Sequence, residues 1–199
     1  MNMKKASIVF ATIVAMASSV TAQTNWSVDP RHSKIKFTTT HSMITEVDGY
    51  FKVYEGQIIG AKEDFTGASI LFSADASSIN TEDEQRDGHL KSPDFFDVEK
   101  YPKITFKSTS FKKLNSKNYK LVGDLTIKGV TKTVSFDVVY TGTVKDPSGD
   151  TRAGFKLTGN VNRYDYGLKW NMILEAGGLF VSENVAIVCN LELLIAKAK

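Results

Sequence analysis

The segment Lys120–Tyr140, KLVGDLTIKGVTKTVSFDVVY, decides the fold. Leu121, Gly123, Leu125 and Ile127 alternate with Lys120, Asp124, Thr126 and Lys128. Beyond Gly129, Val134, Phe136, Val138 and Tyr140 oppose Thr133, Ser135 and Asp137. A period of two belongs to a strand with one buried face, whereas a helix needs a period of 3.6. Lys128-Gly129-Val130-Thr131 supplies a short turn, so the segment reads as a β-hairpin.

The same alternation spreads outward from this hairpin. Lys34-Ile35-Lys36-Phe37-Thr38 shows it, and Ala68, Ile70, Phe72, Ala74 and Ala76 share one face. Ile104 and Phe106 repeat it, as do the odd positions from Ala153 to Val161, then Trp170, Met172 and Leu174. A last strand spans Val185 to Ile195. Asp146-Pro147-Ser148-Gly149-Asp150 is a turn, and Gly177-Gly178 is another break. Alternation stops only in Asn80–Pro102. There Thr81 and Glu84 have capping-box spacing for a short helix to about Leu90, and Ser92-Pro93-Asp94 opens a second helical turn carrying Phe95 and Phe96.

Strands without crossover helices predict an all-β, antiparallel protein whose apolar faces meet in a sandwich or a barrel. Alternation satisfies both. The small inward residues Ala68, Ala74, Gly123, Ala153 and Gly159 would leave a lumen in a barrel of ~8 strands, or would seat bulky neighbours in a solid core.

Lys4 and Lys5, an apolar run from Ala6 to Ala17, and small residues ending in Val20-Thr21-Ala22 form a secretory signal with cleavage after Ala22. The run is too short for a bilayer, which needs roughly 20 apolar residues, and no later stretch qualifies. The remainder, residues 23–199, is expected to be one domain, periplasmic or secreted. The full chain carries 25 Lys+Arg against 22 Asp+Glu, and cleavage removes two of those lysines. The mature chain is then nearly neutral and has no electrostatic footprint for nucleic acid. Lysines do interleave with aromatics at Lys34–Phe37 and Lys103–Lys107, but on opposite strand faces. Cys189 is the single cysteine, so no internal disulfide forms, and its place among Val185, Ile187, Leu191 and Leu193 makes it a buried structural thiol.

The sequence has no phosphate-binding loop, dinucleotide fingerprint, nucleophile elbow or paired-cysteine metal motif. His32, His41 and His89 do not form a compact ligand set, so no metal site is expected. Arg86, Asp87 and His89 share one helical turn. They would hold an anionic head group, or else tie the insertion to the rim by hydrogen bonds.

Several strings occur together and in order: Trp26-Ser27-Val28-Asp29-Pro30-Arg31-His32-Ser33, Gly49-Tyr50-Phe51, Arg86-Asp87-Gly88-His89-Leu90 through Phe95-Phe96-Asp97, Gly123-Asp124-Leu125-Thr126-Ile127-Lys128-Gly129-Val130-Thr131, and Val161-Asn162-Arg163-Tyr164-Asp165-Tyr166-Gly167-Leu168. The chain thereby resembles the YceI-like family of exported polyisoprenoid-binding proteins from Trp26 to about Leu194. That resemblance implies an eight-stranded antiparallel lipocalin-like β-barrel with a short helical insertion. Its lumen would take the tail of a polyprenyl phosphate or isoprenoid quinone, with no cofactor required and no established enzyme activity. Phe37, Phe51, Phe72, Phe106, Phe136 and Phe155 lie on the apolar parity of their segments and become the lumen candidates. Phe95 and Phe96 would close one end, while Arg86, His89 and His41 would sit near the head group. Two alternatives stay open: an enzyme acting on a small hydrophobic substrate at Arg86, Asp87 and His89, and a barrel with a filled core. The assembly is open as well, with a homodimer as one arrangement.

Overall fold

A computed structural model describes residues 24–175 and 177–195. The export signal expected at the N-terminus lies outside the described residues. Eleven strands are present among them: β1 (Thr24–Val28), β2 (Lys34–His41), β3 (Thr45–Phe51), β4 (Tyr54–Ala61), β5 (Ser69–Asp75), β6 (Ile79–Asn80), β7 (Lys103–Lys113), β8 (Asn118–Ile127), β9 (Val130–Lys145), β10 (Thr151–Asn162) and β11 (Asn184–Ile195). All pairings between them are antiparallel. The sheet runs β1-β4-β5-β7-β8-β9-β10-β11-β2-β3-β6, and β1 also pairs with β11, which closes the ring.

The barrel has eight staves because three of them are broken. β1 and β2 run end to end along β11, with Trp26 opposite Ile195 and Ile35 opposite Cys189. β3 and β4 together form the second stave, and β5 with β6 the third. The sandwich alternative is thereby excluded, since full closure leaves no sheet edge along the seam.

Arg152 on β10 pins the first break. It donates to Asp29 Oδ2 at 3.0 Å, Glu192 Oε1 at 2.5 Å and Asp146 Oδ2 at 2.6 Å, while the Asp29 N–H donates to the Glu192 carbonyl at 2.8 Å. The loop between β1 and β2 is thus tied to β10, β11 and the β9–β10 turn.

The Lys120–Tyr140 hairpin forms as expected. Ile127 pairs with Val130 across Lys128 and Gly129, both left-handed (φ 48° and 74°), the geometry that fits the twist of a two-residue turn. Its tip carries the insertion: Lys128 Nζ donates to the Pro93 carbonyl at 2.7 Å, and Tyr101 packs on Gly129. Two local expectations are corrected. Helix α1 spans Glu84–Lys91 with Asp83, not Thr81, as its N-cap; Asp83 accepts from the Arg86 N–H. Thr81 is unavailable because its hydroxyl donates to the buried Asp87 at 2.6 Å and accepts from Arg86 Nε at 2.8 Å. Ser92–Lys100 forms successive turns rather than helix, with the N–H groups of Phe95 and Asp97 both reaching the Ser92 carbonyl. A third correction concerns Trp170, Met172 and Leu174, which lie in a loop rather than a strand.

Inside the wall, phenylalanine rings lie against glycines. Phe37 covers Gly49, its partner across the β2–β3 pair, Phe106 covers Gly123, and Phe136 covers Gly159. The small residues therefore do seat bulky neighbours, and the rings pack against the wall instead of meeting at the axis. One end of the barrel is plugged by Phe65, 3% exposed, with ring centroids 5.3 Å from Trp26 and 5.0 Å from Phe155.

This packing makes two glycines respond in opposite ways to the same substitution. A Cβ at Gly123 would strike both the Phe106 ring and the Lys107 carbonyl, whereas one at Gly88 in α1 meets nothing. Urea denaturation should show Gly123→Ala destabilising by ~1–3 kcal/mol through overpacking, and Gly88→Ala stabilising by ~0.5–1 kcal/mol through helix propensity. Equal effects at both positions would contradict the ring-on-glycine packing.

Stability should also depend on pH through the Arg152 network. Burial alone would raise the Asp29 carboxyl, but hydrogen bonds from His32, the Arg31 N–H and Arg152 outweigh it and hold it below the ordinary 3.8. The Arg152 bond likewise lowers Asp146. Carboxyls lowered in the folded state stabilise it above their unfolded pKa, and that contribution disappears as pH falls through the folded value. The urea midpoint should therefore drop as pH is lowered from about 5 to about 3, and Arg152→Ala should flatten that drop. An unchanged slope in the variant would show that Arg152 is not the cause.

Candidate functional site

The barrel encloses a cavity of about 260 Å³ whose lining is almost wholly carbon. Its wall is the inward face of the strands, and the alternation read from sequence places Phe37, Phe72, Phe106, Phe136 and Phe155 on it, with Phe51 at the end of β3. Phe65 and Phe111 bound it at the plugged end. At the other end Leu90, Phe95 and Phe96 from the insertion cover it. Phe96 stands edge-on to Phe51 at 5.9 Å, and Phe95 lies 5.4 Å from Trp170. All eight phenylalanines singled out in the sequence thus line one space. The filled-core alternative does not describe it.

The polar candidates lie elsewhere. Arg86 donates to Thr81 Oγ1 and to the Thr81 carbonyl, both at 2.8 Å, and is absent from the lining. Asp87 is buried and accepts from both the N–H and the hydroxyl of Thr81. Arg86, Asp87 and Thr81 tie α1 to β6, so the first two act as a hydrogen-bonded tether. His89 Nε2 lies 3.1 Å from Asp94 Oδ2, its ring standing edge-on to Phe95 and Trp170, outside the cavity wall. His41 packs edge-on against Phe180 at 4.4 Å, also off the lining. The structure therefore does not bring Arg86, His89 and His41 to the cavity surface.

Three other residues with polar side-chain atoms line it: Thr39, Arg163 and Cys189. Burial pushes the Cys189 thiol up to about 12, so it remains protonated at neutral pH and acts as a small apolar side chain. Arg163, 7% exposed, follows β10 in a 3-10 turn over Arg163–Tyr166. Its Nε donates to the Ser182 carbonyl at 2.8 Å, Nη1 to the carbonyls of Leu168 (2.5 Å) and Trp170 (2.9 Å), and Nη2 to that of Val181 (3.0 Å). Those four bonds, with Asn171 bonded to both the N–H and the carbonyl of Val181, shape the loop in which a strand was expected. Burial lowers the Arg163 pKa from its ordinary value, and among the described residues no carboxylate lies within ion-pair distance of it. The Thr39 hydroxyl oxygen is buried and bonded to nothing in the described residues. The sequence held a signal for each: Thr39 shares the parity of Ile35 and Phe37, and Arg163 falls in the Val161–Leu168 string.

One group of described residues brings three metal-ligating atoms within 4.8 Å of one another, namely Asp29, His32 and Glu192. Arg152 already donates to both carboxylates, so the group is an ion-pair network rather than an open cation site.

This geometry has relatives. A UPF0312 protein of Staphylococcus aureus is 38% identical over 175 residues, covering 87% of this chain and 99% of its own. A variant of the Campylobacter jejuni YceI protein, 28% identical, superposes with a TM-score of 0.70 over 79% of this chain and 90% of its own. A structure described as a polyisoprenoid binding domain from Saccharophagus degradans implicated in plant cell wall breakdown shares the fold at 17% identity, TM-score 0.63, over 86% of this chain and 98% of its own. The model of the YceI-like domain matches residues 26–193, from the first buried tryptophan of β1 to the last inward leucine of β11, and the chain belongs to that family.

Proposed function

We propose that this protein is an exported, non-catalytic carrier that encloses the tail of an isoprenoid lipid, a polyprenyl phosphate or an isoprenoid quinone, in its barrel. The observation that carries the reading is the carbon-lined cavity of about 260 Å³ in a chain with no cofactor-binding motif. A branched polyprenyl tail offers no hydrogen bonds, and each CH₂ removed from water contributes ~0.8 kcal/mol. A wall of phenylalanine, leucine, isoleucine and valine suits it. The relation to a polyisoprenoid binding domain supports the same class of ligand. The binding role is also supported by Arg86 and Asp87, which both bond to Thr81 and lie off the lining of that cavity. Export rests on the N-terminal signal pattern, with action in the periplasm or beyond it.

Protein purified without detergent should yield an isoprenoid lipid on organic extraction and mass spectrometry. Adding a C15 prenyl ligand at ~100-fold its Kd should stabilise the fold by ~2.7 kcal/mol and raise Tm by ~5–10 °C. Ala74→Phe, which places a ring in the cavity, should remove that rise. Extracts free of lipid together with an unmoved Tm would overturn the reading.

A further inference from the structure

We propose that two loop tips at the insertion end of the barrel form a membrane-contact surface. Met43 and Ile44 in the β2–β3 turn, with Met172 and Ile173 in the loop that follows the 3-10 turn, dip into the apolar edge of a lipid bilayer. The choice of a bilayer as partner rests on the lipid-carrier reading; the apolar surface does not.

Ile44 is 86% exposed, Ile173 85%, Met43 64% and Met172 48%. Single exposed apolar side chains are ordinary on a protein surface, whereas a group of them marks a contact. The two tips touch. The Ser42 N–H donates to the Phe180 carbonyl at 2.7 Å, His41 bridges to Val181, and the Met43 sulfur lies against Gly178. Within the second tip the Phe180 N–H donates to the Met172 carbonyl at 2.9 Å, and Ile173 bridges to Leu179. Turn chemistry does not ask for these side chains. Ser42 and Met43 are both left-handed (φ 51° and 62°), a conformation that asparagine or glycine adopts at lower cost. Neither His41–Thr45 nor Trp170–Leu174 contains Asp, Glu, Lys or Arg.

The place of the tips in the fold selects the occupant. Trp170, where the second tip begins, stands 5.4 Å from Phe95 and 4.7 Å from His89 of the insertion, and Val181, where it ends, lines the cavity. The tips therefore flank the end of the cavity that the insertion covers. An apolar tail that left by this end into water would expose its whole length, so the rim has to meet an apolar phase. Four aliphatic side chains, none fully exposed, offer less than the roughly 800 Å² that each partner gives to a standard protein interface. A bilayer needs no matching shape, because its hydrocarbon accepts any apolar side chain. The charges that flank the tips are Glu46, Lys169 and Glu175, two acids and one base. Burial of the four side chains drives the contact, and attraction to anionic lipid does not.

The test is sedimentation of the exported protein, purified without detergent, with sucrose-loaded phosphatidylcholine vesicles. The parent is compared with Ile44→Asp/Ile173→Asp, with the uncharged Ile44→Ser/Ile173→Ser, and with Leu114→Asp. Leu114 is 62% exposed in the β7–β8 turn, at the other end of β8 from the turn that carries the insertion. All versions share one N-terminus, so differences report the tips. The parent should bind, and the Asp pair should bind at least ~10-fold more weakly, about 1.4 kcal/mol, with an unmoved Tm. The Ser pair should weaken binding in the same direction, and Leu114→Asp should bind like the parent. Adding phosphatidylglycerol should not strengthen binding, and ~1 M salt should not release the protein. The proposal is overturned if the parent stays in solution, if either tip pair binds as the parent does, if Leu114→Asp loses as much, or if salt releases the protein. Sedimentation equilibrium without vesicles covers a second copy as partner: a dimer abolished by the tip pairs would make this a copy–copy contact and overturn the membrane contact. Lipid-free extracts alongside tip-dependent vesicle binding would end the carrier reading and leave the surface standing; bound lipid without tip-dependent binding would do the reverse.

Discussion

The girth of a closed eight-stranded ring is fixed by strand number and tilt, not by the side chains inside it. Everything else in this molecule answers to that constraint. Inward side chains must cover the wall without water, yet they cannot draw the wall inward if they fall short of the axis. Here they fall short because Phe37, Phe106 and Phe136 pack onto Gly49, Gly123 and Gly159. Each glycine removes a Cβ that would stand the ring off the wall. The cavity is the space those rings do not reach.

Closure also explains why polar chemistry gathers at the breaks. Where β1 gives way to β2, chain leaves the ladder, and Asp29, Arg152, Asp146 and Glu192 gather around the gap. Where β6 ends, Thr81 and Asp87 perform the same office for the insertion. Where β10 ends, Arg163 ties down the loop through four bonds to backbone carbonyls. The first tie is an ion-pair network, the second rests on hydrogen bonds to the Asp87 carboxylate, and the third lies against the cavity wall.

Much of the wall was legible in the sequence because alternation needs only the local backbone: the parity of Ile35 and Phe37, or of Phe155 and Leu157, is the same in any half-buried strand. That locality is also why sandwich and barrel could not be separated, since the contact that closes the ring joins Trp26 to Ile195. Local rules failed where a distant partner took the group they relied on. Thr81 has the capping residue type, but Asp87 and Arg86 claim its hydroxyl, and the cap moves to Asp83. Trp170, Met172 and Leu174 alternate, but Asn171 and Arg163 bind the backbone that a strand would have presented to a neighbour. Arg86 and His89 share one helical turn, and only the fold shows that they lie off the cavity lining while Arg163, in an equally distinctive string, lies on it.

The seam between β1 and β11 has a consequence for assembly. Hairpins such as β8–β9 are sequence neighbours and zip from their own turns, whereas the seam unites the first described strand with the last. Its entropy of loop formation spans nearly the whole domain, which makes sealing a late event and leaves an unsealed, slit cylinder before it. The same adjacency brings residues 24 and 195 to neighbouring positions on the sheet, close enough for a short peptide to join them. Reopening such a circle at the Pro147–Gly149 turn would move the slit to a different stave without altering the wall, and the order in which the cylinder shuts would change with it.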